Sequence, residues 1–313
     1  MQRVLITGAG GFIGRALAAY LVQQGFGVRA TSRGLLSLAG VHTLQLQRYA
    51  NDEILAAALH EVDVVVHLAA RAHQTVRNDN VARYEENLLV TQSLLEASRQ
   101  AGVSRFVHIS SVGVHGNQTF GTPYRESDAL APAEPYAVSK RLAEEAVARI
   151  QPHGMQYVII RPPLVYGPAA PGNFGRLLRA VASGFPLPLG GLHNRRSLVS
   201  LGNLLDFIRL CMAHPHAANQ AFLVSDGDDL STTDLLQHIR RGLLARGRAA
   251  APLLPIPPGL LRWGGWVLRK EDMIDKLCAS LQVDITKART VLDWAPPHTV
   301  DAGIASALDA MQP

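Results

Sequence analysis

The chain has 313 residues, 48% of them hydrophobic and 18% charged, with a formal net charge of +5. That length suits one large α/β unit with a smaller appended one, and the composition excludes a disordered polypeptide. The basic residues are scattered and no helix-turn-helix, RNP-like or zinc pattern occurs, which argues against nucleic acid as a partner. Met1 leads almost directly into an apolar run, so no signal peptide is expected. The longest apolar stretch, Leu253 to Leu268, is interrupted by Pro255, Pro257, Pro258 and Arg262 and cannot form a membrane span. Cys211 and Cys278 match no metal or redox motif, so a reducing, cytoplasmic setting is expected.

In chain order, the first organised stretch is Val4 to Gly14: a β-branched apolar run, a glycine-rich turn, then a helical pattern from Phe12. Gly8 can close the turn, Gly11 can let backbone N–H groups approach a pyrophosphate, and Gly14 can let helix pack tightly on strand. A phosphate would then meet the free N–H groups and the dipole of a helix N-terminus. Apolar runs at 3–7, 27–31, 43–47, 62–68, 105–110 and 156–161 alternate with helical patterns at 12–24, 52–60, 81–101 and 135–150. This alternation predicts a parallel sheet with crossover helices, a doubly wound α/β fold. After Arg161, prolines at 162, 163, 168, 171, 186 and 188 punctuate short elements, and helices are expected near 203–213, 231–246 and 259–278. The expected division is a dinucleotide-binding domain over 1–161, with a strand at 221–225 returning to its sheet, and a smaller substrate lobe over 162–313.

Tyr136-Ala137-Val138-Ser139-Lys140 sets a phenol and an ammonium four residues apart, on one face of a helix that Pro135 can start. An unperturbed tyrosine titrates near pH 10, so a nearby cation is what would let it act as acid or base at neutral pH. The bland alternative is an amphipathic helix with an incidental pair. The run Phe106 to Ser111 is a strand ending in two hydroxyls. Ligands of open α/β sheets lie beyond the carboxyl ends of strands, so Ser111 is placed to meet a substrate oxygen; alone, it could equally close an ST-turn. His67, His108 and His115 have no carboxylate or cysteine pattern around them and are expected to be structural, with no metal.

Several motifs occur together and in order: Thr7 to Gly14, His67-Leu68-Ala69-Ala70, Ser110-Ser111, Tyr136-x-x-x-Lys140, Arg161-Pro162-Pro163-Leu164-Val165-Tyr166-Gly167-Pro168, and Leu292-Asp293-Trp294-Ala295-Pro296. In this combination, which covers nearly the whole chain, the sequence resembles the extended short-chain dehydrogenase/reductases, and within them the nucleotide-sugar epimerase and reductase branch near the UDP-glucose 4-epimerases. The resemblance implies a Rossmann domain for NAD(P), a C-terminal lobe for a UDP-linked hexose or hexosamine, and a catalytic set of Ser111, Tyr136 and Lys140. By motif it implies cofactor contacts from Gly8, Gly11, Phe12, Ile13, Gly14, Leu68, Ala69, Ala70 and Pro163, with Tyr136 and Lys140 at the nicotinamide end. Asn173 and Arg196 are implied on the nucleotide and its diphosphate, where an arginine fork suits phosphate, and Asn87 as the asparagine that props the catalytic helix. A homodimer through helices 81–101 and 135–150 is also implied, with Leu88, Leu95, Leu142 and Val147 as candidate apolar contacts.

The sequence departs from that pattern at three places. Gly113 stands where a threonine hydroxyl is common, Ser280-Leu281-Gln282 replaces a second phosphate-binding arginine, and no acid closes the second strand. A carboxylate there normally holds a ribose 2′-hydroxyl and would repel a 2′-phosphate. Here the strand ends Ala30-Thr31-Ser32-Arg33 and the first acid in the chain is Asp52, so Ser32 and Arg33 favour NADP(H) over NAD(H). An NADPH site suits one-way reduction. The expected activity is therefore a 4-ketoreductase acting on a UDP-4-keto-6-deoxy-hexosamine in surface polysaccharide synthesis, with a UDP-glucose or UDP-GlcNAc 4-epimerase as the alternative. A reductase of steroid or phenolic carbonyls shares the motifs but has no use for Arg196, and a non-catalytic NAD(P) sensor has none for Ser111, Tyr136 and Lys140 together.

Overall fold

A computed structural model of the chain describes residues 1–46, 52–70, 82–150, 154–267 and 271–311. Seven parallel strands form one sheet in the order β3-β2-β1-β4-β5-β6-β9. They are β1 (Arg3–Thr7), β2 (Gly27–Ser32), β3 (Val41–Gln45), β4 (Val64–His67), β5 (Arg105–Ile109), β6 (Gln156–Arg161) and β9 (Gln220–Leu223). Continuous apolar runs such as Val64-Val65-Val66 are buried on both faces, as strands covered by helices on each side must be. The crossover helices are α1 (Phe12–Gln23), α2 (Asp52–Leu59), α3 (Ala82–Gln100), α4 (Pro135–Ala148) and α6 (Leu201–Ala213). The strand order reverses at β1, giving the doubly wound Rossmann-type arrangement, with the ligand crevice at the strands' carboxyl ends.

Between β6 and β9 the chain leaves the sheet. It forms β7 (Leu164–Tyr166), α5 (Gly172–Ala182) and β8 (Leu198–Ser200), with β7 and β8 paired in parallel. After β9 come α7 (Thr232–Leu244), α8 (Pro258–Val267), α9 (Glu271–Cys278), α10 (Thr286–Leu292) and α11 (Val300–Asp309). A second core gathers Tyr166, Phe174, Val181, Leu198, Leu236, Ile239, Ile304 and Leu308, separate from the two clusters that line the large sheet. The three-residue strands β7 and β8 and the helix α5 were not expected from the sequence. Strands of that length carry no readable periodicity, and the proline run hides a helix that begins directly after Pro171.

Two expectations are corrected in detail. The helix expected over 259–278 is the pair α8 and α9, with 268–270 between them outside the described residues, as is Gln47 at the end of the strand expected over 43–47. Leu95 and Val147 cannot serve a dimer interface: both are buried in the cluster between α3, α4 and the sheet. Among the described residues, the large apolar side chains that α3 and α4 turn outward are Leu89, Val138 and Leu142, with Leu88 half-buried. Among the described residues no helix is long and apolar enough to cross a membrane.

Candidate active site

The glycine turn between β1 and α1 is built by close approach. Gly8 has φ +73°, and a Cβ on it would lie 2.7 Å from the Ala69 nitrogen. A Cβ on Gly14 would lie 2.4 Å from the Gly8 carbonyl oxygen, so α1 can sit on the turn only with hydrogen at that position. Gly11 is the N-cap of α1 and caps no N–H by a side chain, and the first turn, which contains Phe12 and Ile13, carries no acid. The first-turn N–H groups and the positive end of the helix dipole thus meet no capping side chain and no acid of their own helix, which fits a dinucleotide pyrophosphate. Leu68, Ala69 and Ala70 follow β4 beside it, and the Ala69 N–H donates to Thr7 Oγ1 at 3.3 Å. At the end of β2, the Ser32 hydroxyl donates to the Gly34 carbonyl, while the Arg33 side chain is exposed.

The other half of the crevice is made by β5 and α4. Pro135 begins α4, where its missing N–H has no helical partner to lose. Lys140 is buried, and its Nζ donates to the Ile109 carbonyl at 2.7 Å, at the last residue of β5. The same Nζ lies 5.9 Å from the centroid of the Tyr136 ring, one helical turn earlier. Ser111 follows β5 in extended conformation and accepts the Gly113 N–H at 3.1 Å, opening a short 3-10 turn over 112–114. That turn is tied to the β6–β7 connection by Val112 N–H donating to the Pro162 carbonyl at 2.9 Å, which brings buried Pro163 near Ser111. Asn87 reaches α4 through an intermediary: its Nδ2 donates to Ser139 Oγ at 3.1 Å, and the Ser139 hydroxyl donates to the Tyr136 carbonyl at 2.8 Å.

Below this set lies a buried ionic group that the sequence did not reveal. Glu144, one turn beyond Lys140, receives Nε and Nη2 of Arg161, the shorter contact being 2.7 Å, and both side chains are at least nine-tenths buried. Arg161 Nη1 donates to His115 Nε2 at 3.0 Å, so the neutral His115 ring carries its proton on Nδ1. Burial, then the Arg161 charge, holds that imidazole's pKa down at about 4. An arginine closing a buried strand needs a carboxylate nearby, and that demand was the available signal for Glu144.

Burial pulls the Lys140 pKa down from 10.5 to about 8, with the Glu144 charge acting in the opposite direction. Because the folded value is depressed, the charged lysine works against folding below about pH 8, and this cost fades as pH rises toward 10.5. Lys140→Met should therefore leave the melting temperature at neutral pH unchanged or higher while cofactor affinity falls. Calorimetry against pH checks this; a large loss of stability at neutral pH would contradict it.

The substrate-side candidates lie on the C-terminal lobe. Asn173 is exposed in the first turn of α5. Arg196 pairs its backbone with Leu230, and its Nη1 donates to the carbonyls of Lys276 at 2.6 Å and Ala279 at 3.2 Å, at the end of α9. One arm of the guanidinium thus fixes the α9 terminus. Beside it, Asp229 receives Gln282 Nε2 at 2.6 Å and Ser197 Oγ at 2.5 Å, a small network absent from the sequence expectations. Among the described residues no group of three or more His, Cys, Asp or Glu could hold a metal ion.

Known proteins are similar to this chain in sequence and in fold. The NAD dependent epimerase/dehydratase family model matches residues 4–225. The UDP-glucose 4-epimerase of Vibrio cholerae is 37% identical over 318 residues, covering 99% of this chain and 95% of that relative. Of solved structures, the UDP-glucose 4-epimerase of Thermotoga maritima with UDP-glucose has the same fold, with a TM-score of 0.80 at 22% identity over 99% of this chain and 98% of the other. The Thermus thermophilus UDP-glucose 4-epimerase in complex with NAD gives a TM-score of 0.78 at 26% identity, with the same 99% and 98% coverage. The chain is an enzyme of the extended short-chain dehydrogenase/reductase type and belongs to the NAD-dependent epimerase/dehydratase family.

Proposed function

We propose that this enzyme works at carbon 4 of a UDP-linked hexose or hexosamine and that its net reaction is 4-epimerisation. The 37% identity to the Vibrio cholerae UDP-glucose 4-epimerase, over nearly the full length of both chains, carries the choice of net reaction. The chemistry rests on Tyr136, Lys140 and Ser111 converging at the end of β5. Tyr136 Oη takes the proton of the sugar's 4-hydroxyl and later returns one to the 4-keto oxygen. The Lys140 ammonium, fixed by the Ile109 carbonyl, favours the phenolate that this transfer needs. Ser111 Oγ hydrogen-bonds the sugar oxygen and holds it in line with Tyr136. When bound across the glycine turn, the nicotinamide supplies the hydride acceptor and donor.

A one-way 4-ketoreductase is the second reading, and the acid-free end of β2 favours it. In that case NADP(H) is the cofactor and Arg33 meets its 2′-phosphate; in an NAD(H)-retaining epimerase Arg33 stays in solvent. The deciding experiment offers UDP-Glc and UDP-GlcNAc to the purified enzyme without added reductant. Formation of the galacto epimers is expected. NADPH consumption confined to a UDP-4-keto-6-deoxy-hexosamine, with tighter binding of NADPH than NADH, would replace the epimerase by the reductase.

The nucleotide end is assigned to Asn173 and to the guanidinium arm of Arg196 not engaged at α9. Arg196→Ala should weaken UDP binding by about 10- to 150-fold, since a charge-assisted hydrogen bond contributes about 1.5–3 kcal/mol. Unchanged UDP affinity by calorimetry would remove Arg196 from the site. The outward Leu89, Val138 and Leu142 of α3 and α4 are assigned to a homodimer interface. Light scattering should report a dimer for the native chain and a monomer for Leu142→Glu; a native monomer at micromolar concentration would contradict this.

A further inference from the structure

His67 closes β4, and its ring is buried between the two halves of the crevice. Its Nδ1 is 2.8 Å from Thr7 Oγ1, and its Nε2 is 3.0 Å from Thr91 Oγ1. The bond from Thr91 to the Asn87 carbonyl fixes the direction of the Nε2 contact, and a ring carrying a single proton then fixes the other. The Thr91 hydroxyl gives its proton to the Asn87 carbonyl at 2.8 Å, one turn back along α3, so toward His67 it can only accept. His67 therefore carries its proton on Nε2, leaving Nδ1 to accept from Thr7. Thr7 Oγ1 donates to that ring and itself accepts the Ala69 N–H. One tautomer satisfies every contact.

The groups around the ring hold it in that state. Lys140 lies on the α4 side and His108 pairs with His67 in register across β4 and β5, their ring centroids 5.4 Å apart. Phe106 packs at 5.8 Å, and among the described residues no carboxylate is a cause of the imidazole's shift. Burial, then the Lys140 charge, holds its pKa near 3.

Beyond Thr91 the connection continues through Asn87, whose side chain donates to Ser139, whose hydroxyl donates to the Tyr136 carbonyl. We infer that His67 is a positioning residue: as the neutral Nε2–H tautomer it joins the cofactor-side turn at Thr7 and Ala69, through Thr91, Asn87 and Ser139, to the backbone of Tyr136. The cradle for the dinucleotide and the helix carrying the phenol are thereby held at one spacing, which hydride and proton transfer at a single carbon both require. The inference rests on the proposed acid–base role of Tyr136.

The test uses the full chain. Nitrogen-15 spectra of histidine-labelled protein, with the His67 signals assigned from a His67→Gln sample, should show a protonated Nε2 and a bare Nδ1 throughout the neutral range. A protonated Nδ1 or an imidazolium would overturn the inference, and this readout needs no substrate. In turnover, Thr91→Val should lower kcat by about 10- to 100-fold while KM and cofactor affinity stay near native, and Thr91→Ser should restore it. Thr91→Val combined with Ser139→Ala should be no slower than the worse single variant, because both break one connection. Additive losses, or a Thr91→Val enzyme that melts earlier but turns over normally, would reduce His67 to a packing role. Failure of the native enzyme on every sugar offered would instead strike the functional proposal, leaving the tautomer to judge this one.

Discussion

Tyr136→Phe should lower kcat by about two to four orders of magnitude, the usual span for removing a general acid–base group, while the cofactor still binds. The substitution removes one oxygen and leaves the ring. Lys140 keeps its contact with the Ile109 carbonyl, and Ser139 still donates to the backbone carbonyl of residue 136, so α4 has no reason to move. Single-turnover measurement of hydride transfer, beside titration with NAD(H), separates loss of chemistry from loss of binding. Near-native turnover would end the assignment of Tyr136. Loss of cofactor binding together with activity would mean that the phenol oxygen serves to hold the cofactor.

The largest effect on stability is expected at the ionic group beneath the site. Arg161→Met should destabilise the fold by about 3–5 kcal/mol, because it leaves the Glu144 carboxylate buried without its partner. Adding Glu144→Leu should recover most of that loss, since an apolar pair of similar volume needs no desolvation of charge. Urea unfolding of the two variants measures both steps; a single variant within about 1 kcal/mol of native would show that Glu144 is otherwise satisfied. The double variant should carry a catalytic defect even when it is stable. Glu144 is the charge that opposes the downward pull of burial on the Lys140 pKa. Without it the ammonium is lost at lower pH, and cofactor affinity at neutral pH should fall.

The local features were legible because local geometry is what spacing in a sequence encodes. Strand, glycine turn and helix over 3–23 follow from an apolar run, three glycines and a helical period, and all three glycines sit where the sequence placed them. Tyr136 and Lys140 share a helix face because residues four apart always do. Ser111 lies past a strand's carboxyl end because the run before it is a buried strand. The parallel sheet itself was legible from alternation, down to the returning strand that appears at Gln220–Leu223.

What the tertiary structure alone decided are the contacts between residues far apart in the chain. Asn87 and Ser139 are 52 positions apart, Arg161 and His115 are 46, and Thr7 and His67 are 60. Each pair meets only after β1, β4, β5 and β6 have taken their register. The same holds for Leu95 and Val147, whose apolar character says only that they are covered; the packing of α3 and α4 against the sheet decides that the cover is the protein's own core. Arg196 shows it again: the sequence marks an arginine fork, but the carbonyls of Lys276 and Ala279 that take one of its arms lie 80 and 83 positions away. Periodicity and turn chemistry act over one or two turns of chain, so the sequence by itself determined the strands and crossover helices of the large sheet and marked the candidate reacting groups they carry. The supports that hold those groups come from the packing of one element on another, which short-range patterns do not specify.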